Sequence, residues 1–167
     1  MNDQKHVPSR HADRAGGCFQ MGCPCPCISV RNVQRKIRVN LGELETFAAV
    51  AVQRSLKFRK GKRSDLRELR DVFVWLISDR RMAVLHGQFL GQLGPTDVLT
   101  FQHGEIFISV ETARRHARAF GNSLTRELEL YIIHGLLHLH GFDDQKPVEA
   151  RKMKTAQKRI LRCALSR

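Results

Sequence analysis

His134-Gly135-Leu136-Leu137-His138-Leu139-His140-Gly141-Phe142-Asp143-Asp144 is the stretch from which the rest of the chain is read. His134 and His138 are four residues apart, which on an α-helix places them on one face about a turn apart. Their imidazoles can then close on one metal ion. Gly141 is the residue type that lets a helix stop and the chain turn back. Asp144 follows it closely enough to return a carboxylate to the same ion. Two histidines, one aspartate and an open position outline a catalytic zinc site, one Zn2+ per chain, rather than a closed structural one. His140 lies two residues past His138, about 200° round the helix, so it is expected to point away, at the surface or behind the ligands. Asp143 is the nearest competitor of Asp144; its carboxylate can instead bind a histidine ring N–H or orient a water.

The spacing His-x-x-x-His-x-x-Gly-x-x-(His/Asp) is similar to that of the metzincin peptidases, in which a glutamate follows the first histidine and serves as general base. Here that position is Gly135, which has no side chain. A zinc peptidase would lack its base.

Outward from this stretch the patterning alternates between strands and helices. Ser123 or Thr125 begins the histidine-bearing helix. Before it, Val110 to Phe120 reads as a helix with Arg114, Arg115, His116 and Arg118, stopped at Gly121-Asn122. Gly104 to Ser109 and Asp97 to Phe101 read as two strands of a hairpin, with His103-Gly104 in the turn. Gly91 to Pro95 breaks the chain. Ser78 or Asp79 caps a helix running to about Phe89. Val72-Phe-Val-Trp-Leu-Ile77 is a continuous apolar run of strand length, predicting a central strand. Arg59 to Arg63 is a basic loop. Asn40 precedes a helix whose apolar residues Leu41, Leu44, Ala48, Ala51, Val52 and Leu56 recur near a helical period. Ile28 to Val33 alternates as a strand does. Beyond the site, Pro147 to Leu165 reads as a last helix, rich in Lys and Arg. The order β-α-β-α-β-β-α-α-α predicts an α+β fold: one domain over 28–167, a mixed four-stranded sheet packed with about five helices. Residues 1–27, without periodicity, read as a flexible tail.

The chain has 167 residues, 42 % of them hydrophobic, as in ordinary globular domains. No apolar run is long enough to cross a bilayer, and no secretory apolar segment stands near the start, which points to the cytoplasm. Lys and Arg number 29 against 16 acids, a formal net charge of +13. Such an excess favours a polyanionic partner, RNA or DNA ahead of an anionic membrane. The nine Phe, one Trp and one Tyr fall mostly in apolar runs, so base stacking is not evident. Cys18, Cys23, Cys25 and Cys27 crowd the start and Cys163 stands alone near the end. With no second pair to complete a knuckle, they read as incidental thiols rather than a second metal site.

Three motifs in order carry a family resemblance. His134-Gly-x-Leu-His138-Leu-x-Gly141-Phe-Asp143 looks like the signature of the YbeY family of rRNA-maturation endoribonucleases. Pro95-Thr-Asp-Val-Leu-Thr-Phe101 and Gly104-Glu-Ile-Phe-Ile-Ser109 are similar to two further segments of that family, and the Glu149 to Met153 spacing matches as well. The resemblance runs from about residue 28 to 165. It implies a single-strand-specific, metal-dependent endoribonuclease acting in maturation of the 16S rRNA 3′ end and in ribosome quality control. Its partners would be single-stranded RNA or rRNA and proteins of the small ribosomal subunit. Two positions depart from the family. Asp144 stands where the third ligand is usually histidine, and Leu90 stands where the family usually has an arginine. Arg80, Arg81, Arg114 and Arg115 are the nearby candidates to replace that arginine. Asp97 and Asp143 are the candidate catalytic carboxylates. For Asp97, capping the Pro95 turn is an equal alternative. The competing function is a non-catalytic rRNA- or ribosome-binding assembly factor with bound zinc.

Overall fold

A computed structural model describes residues 25–58 and 66–165. The basic loop Arg59–Arg63, and Cys18 and Cys23 of the expected tail, lie outside the described residues. The strands are β1 (Cys27–Asn32), β2 (Asp71–Ile77), β3 (Val98–Phe101) and β4 (Glu105–Ser109). The helices are α1 (Leu41–Ser55), α2 (Asp79–Leu90), α3 (Val110–Phe120), α4 (Leu124–Leu139) and α5 (Pro147–Leu165), with a 3-10 turn over Leu66–Glu68. The α+β class, the four-stranded mixed sheet and the five helices agree with the sequence pattern. β1 starts at Cys27, one residue ahead of expectation, and Cys25 packs against the core.

Helix starts follow the capping chemistry. Asn40, Ser78 and Ser123 each sit extended before a helix, and each side-chain oxygen accepts a backbone N–H from the first turn. Pro147 opens α5 at the position where a missing N–H costs nothing. The sheet order is β1-β2-β4-β3: β1, β2 and β4 are parallel, and β3 returns antiparallel to β4. The β3–β4 turn closes at Gly104, whose φ of 108° and close approach to the Asp71 carbonyl suit only glycine.

The two faces of the sheet differ. On the inner face Val30, Val72, Val74, Leu76, Ile106 and Ile108 are at most 1 % exposed. They form one core with α1, α3, α4 and α5. α4 is the spine of that core, touching α1, α3, α5, β3 and β4. Gly135 is what lets it settle there. A Cβ at this position would lie 2.6 Å from Ile106 Cγ2 and 2.9 Å from Ile106 Cδ1. On the outer face α2 covers Ile77 and Leu99 through Met82 and Leu85. Phe73 is left 39 % exposed. β2 is interior in the sheet, as the apolar run predicts, but it is not covered on both faces.

Candidate metal centre

α4 holds the two histidines rigidly because its flanks are locked. Ile132, Ile133, Leu136 and Leu137 around them are 0 % exposed. His134 Nε2 and His138 Nε2 lie 3.0 Å apart. The helix then stops in a double-bonded turn: Gly141 N–H donates to the His138 carbonyl at 2.9 Å and Phe142 N–H to the Leu137 carbonyl at 3.0 Å. Gly141 takes φ 82°, which a Cβ would strain. This turn carries Asp144 back over the rings, with Oδ2 3.7 Å from His134 Nε2 and 3.9 Å from His138 Nε2.

Among the described residues, His134, His138 and Asp144 form a group whose three ligand atoms lie within 4.8 Å of one another. Two donors bound at about 2.0–2.1 Å to a tetrahedral zinc stand roughly 3.3 Å apart. The separations of 3.0, 3.7 and 3.9 Å bracket that value. The donor set therefore fits one ion, and two nitrogens with one carboxylate oxygen suit zinc chemistry. His138 Nδ1 lies 3.2 Å from the Phe142 carbonyl, which accepts its N–H and turns the Nε2 lone pair toward His134 and Asp144. Burial, then the neighbouring His138, holds the His134 proton affinity below that of ordinary imidazole, against the opposing pull of Asp144 and Asp97. A neutral ring at neutral pH is the form a metal needs.

The other expected residues fall elsewhere. Asp143 Oδ1 accepts the Gln145 N–H at 3.0 Å and so shapes the turn. Asp97 Oδ1 accepts from Val98 N–H at 2.9 Å and from Thr96 Oγ1 at 3.1 Å, while its charge still reaches His134. His140 points away from the ligands as expected, but it is not at the surface. It is 0 % exposed, with Nε2 3.0 Å from the carbonyl of Phe58, which lies just past the end of α1. Leu90 is the last residue of α2 and is 55 % exposed. Of the four candidate arginines, Arg115 is committed: its guanidinium meets Asp79 Oδ2 at 2.5 Å and Thr112 Oγ1 at 2.7 Å. Arg80, Arg81 and Arg114 are exposed.

One neighbour of the site was not singled out in the sequence. Tyr131 precedes His134 by three residues, a helix turn, and its Oη lies 2.6 Å from His116 Nδ1. Burial first, then the charges of Asp97 and Glu127, push its pKa up, so the phenol keeps its proton. The signal was the i, i+3 spacing to His134.

The fold and the site together define an α+β protein with a His-His-Asp group able to hold a metal ion at a helix end. The chain belongs to the YbeY endoribonuclease family, whose model, described as "Endoribonuclease YbeY", matches residues 29–164. Relatives bearing that name include one from Frankia alni, 34 % identical over 113 residues covering 56 % of this chain and 62 % of its own length. One from Anaeromyxobacter is 34 % identical over 102 residues, covering 55 % of this chain and 53 % of its own length. One from Thermus thermophilus is 40 % identical over 102 residues, covering 54 % of this chain and 73 % of its own length. The chain thus spans less than two thirds of the Frankia and Anaeromyxobacter proteins. The solution structure of a Thermotoga maritima protein has the same fold, with TM-score 0.54 and 29 % identity over 82 % of this chain and 88 % of that one.

Proposed function

We propose that the chain is a zinc-dependent endoribonuclease that cuts single-stranded RNA in the cytoplasm, acting in maturation of the 16S rRNA 3′ end. Proteins of the small ribosomal subunit are its further partners. The observation that carries this reading is the convergence of His134, His138 and Asp144 within 4.8 Å, in a chain of this family. When bound, zinc supplies a Lewis acid and a water whose pKa falls to about 7. The chain's own residues do the rest. The Phe142 carbonyl fixes the His138 ring, and the half-buried His134, its proton affinity lowered, keeps its lone pair available. Gly135 offers no carboxylate, so a proton from an attacking water goes to Asp97, to Asp143, or out to solvent. Exposed Lys and Arg hold the phosphate backbone, so log affinity falls with log salt with a slope of about −0.7 per phosphate neutralised.

Leu90 favours one second reading, an rRNA-binding assembly factor in which the metal only positions the fold. The two separate when metal-loaded protein and its His134→Ala variant are incubated with single-stranded RNA. Cleavage by the wild type that the variant loses supports the nuclease. Tight RNA binding with no metal-dependent cleavage sinks it and leaves the assembly factor. Elemental analysis that finds less than about half a zinc per chain after gentle purification counts against the ligand set.

A further inference from the structure

Away from the sheet and the metal centre, a cavity of about 260 Å³ opens between the end of α1 and the C-terminal half of α5. Arg54, Lys57 and Phe58 line it from one side, and Arg159, Ile160 and Cys163 from the other. Its walls are held in place. Phe58 N–H donates to the Ser55 carbonyl at 3.1 Å, and the Phe58 carbonyl accepts from His140 Nε2 at 3.0 Å. Ile160 is 1 % exposed and belongs to the core. The cavity thus has an apolar floor, Phe58 and Ile160, with three cationic side chains around it. Its volume is just under the roughly 300–1,000 Å³ of most small-ligand pockets, so it has room for one small ring system.

The cations around this floor are not matched by carboxylates. Among the described residues, none of Arg54, Lys57 and Arg159 forms an ion pair. Arg159 is held by a ring instead, its Cζ 5.2 Å from the Phe58 centroid. A guanidinium laid against a ring keeps its N–H groups for a phosphate. Arg54 and Lys57 have an ordinary reason to stand where they do, at the negative end of α1. Arg159 has no such reason, because it lies inside α5, before the last turn. A bare inorganic anion would use the cations but not the floor, and an apolar segment would use the floor but not the cations. A flat ring carrying a phosphate, a nucleotide, uses both. Three cations also suit a terminal phosphate, with about −1.5 to −2 charges at neutral pH, better than the single charge of a strand's internal phosphate.

We propose that the cavity between α1 and α5 binds a nucleotide with a terminal phosphate, its base against Phe58 and Ile160 and its phosphate on Arg54, Lys57 and Arg159. Two sources offer this chemistry: a free nucleotide, and the 5′-phosphorylated end of a nucleic-acid strand. None of the lining residues belongs to the His-His-Asp group, so the site stands independently of the RNA reading of that centre.

Cys163 is an exposed thiol in the cavity wall, so its alkylation reports occupancy at this place. The metal-loaded full-length protein is treated with N-ethylmaleimide, and modification of Cys163 and of Cys27, an exposed thiol on β1, is read separately by peptide mass. The proposal expects AMP at ten times its dissociation constant to slow Cys163 about tenfold by mass action and to leave Cys27 unchanged. Adenosine and inorganic phosphate at the same concentration protect less. Lys57→Glu and Arg159→Glu, both at exposed positions, each raise the AMP needed for half protection about tenfold or more, and either serves if the other does not fold. No protection by AMP or by a 5′-phosphorylated strand overturns the site. Inorganic phosphate as strong as AMP overturns the nucleotide in favour of a bare anion, adenosine as strong in favour of an apolar slot, and polyglutamate as strong in favour of an acidic protein. Oligodeoxyadenylates, which an endoribonuclease leaves intact, separate the two sources. Protection by AMP and not by the 5′-phosphorylated strand assigns a free nucleotide. Protection by that strand and not by its hydroxyl-ended twin assigns a strand end. Equal protection by the two strands overturns the terminal phosphate.

Discussion

Alternate residues of the same two strands meet opposite surroundings. Val72, Val74 and Leu76 on β2 and Ile106 and Ile108 on β4 are 0 % exposed and packed beneath α1, α4 and α5. Phe73, Trp75 and Phe107, one residue along in each case, lie on the other face, where among the described residues α2 covers part of them. The side-chain period of a strand is two, so a single run of apolar residues can serve a core and a surface at once. What separates them is chemical kind. On these strands branched aliphatics fill the inner face, while the outer face mixes rings with Ile77 and Leu99 and, among the described residues, is only partly sealed by α2. The difference predicts how each face answers to substitution.

The largest effect belongs to the contact between α4 and the inner face. Gly135→Glu sets a Cβ within 2.6 Å of Ile106 Cγ2 and a carboxylate with no partner into the core. The variant is expected to lose about 4 kcal/mol or more, enough to unfold a domain of ordinary stability. Denaturant midpoints measure it. Gly135→Ala costs about 1–3 kcal/mol by overpacking, and Ile106→Ala in the same chain recovers part of that. A soluble Gly135→Glu protein with an unchanged midpoint would sink the account. The same contact explains why this chain cannot carry a peptidase's glutamate: the position faces β4, not the metal.

Next comes the direct contrast of faces. Leu76→Ala removes a fully buried side chain on β2 and is expected to cost about 2–5 kcal/mol. Phe73→Ala, three residues earlier on the other face and 39 % exposed, is expected to cost under about 1 kcal/mol. Urea unfolding of the pair tests it. Equal losses would mean that the outer face is a second core and would remove the reason to read it as a surface.

How much of this was legible in the sequence follows from how local each feature is. The site was readable because its parts lie within eleven residues of chain: i, i+4 histidines, a glycine that stops the helix, and a carboxylate past the turn. The caps at Asn40, Ser78 and Ser123 were readable for the same reason. The strand order β1-β2-β4-β3 was not, because pairing β4 with β2 while β3 takes the edge depends on contacts far apart in sequence. His140 shows the boundary between the two. Helical geometry gave its direction and left open whether it lay at the surface or behind the ligands; what it meets is Phe58, 82 residues away, and that contact buries it. The outer face was missed through the unbroken apolarity of Val72 to Ile77, which conceals that one face is open.

Asp79 ties the two faces together, with an expected effect below those of Gly135→Glu and Leu76→Ala and a pH signature of its own. It starts α2 on the outer face and accepts hydrogen bonds from Ser109 Oγ at the end of β4, from Thr112 Oγ1 of α3 at 2.8 Å and from Arg115 at 2.5 Å. Burial raises its pKa, but these donors together hold it below the usual 3.8. The folded state therefore binds this proton less readily than the unfolded chain does. Stability from the carboxylate is fully present above the unfolded value of about 3.9 and is lost as pH falls through the lower folded value. Asp79→Asn keeps one acceptor oxygen and loses the charge, so at neutral pH it is expected to cost about 1.5–3 kcal/mol, mostly through Ser109 and Thr112, since Arg115 is largely exposed. Once pH has fallen below the lowered folded value the two proteins should unfold alike, because acid has already removed from the wild type what the substitution removes. Thermal unfolding across pH 2–7 reads this, and a gap that persists undiminished in acid would show that Asp79 holds α2 to β4 and α3 by shape rather than by charge.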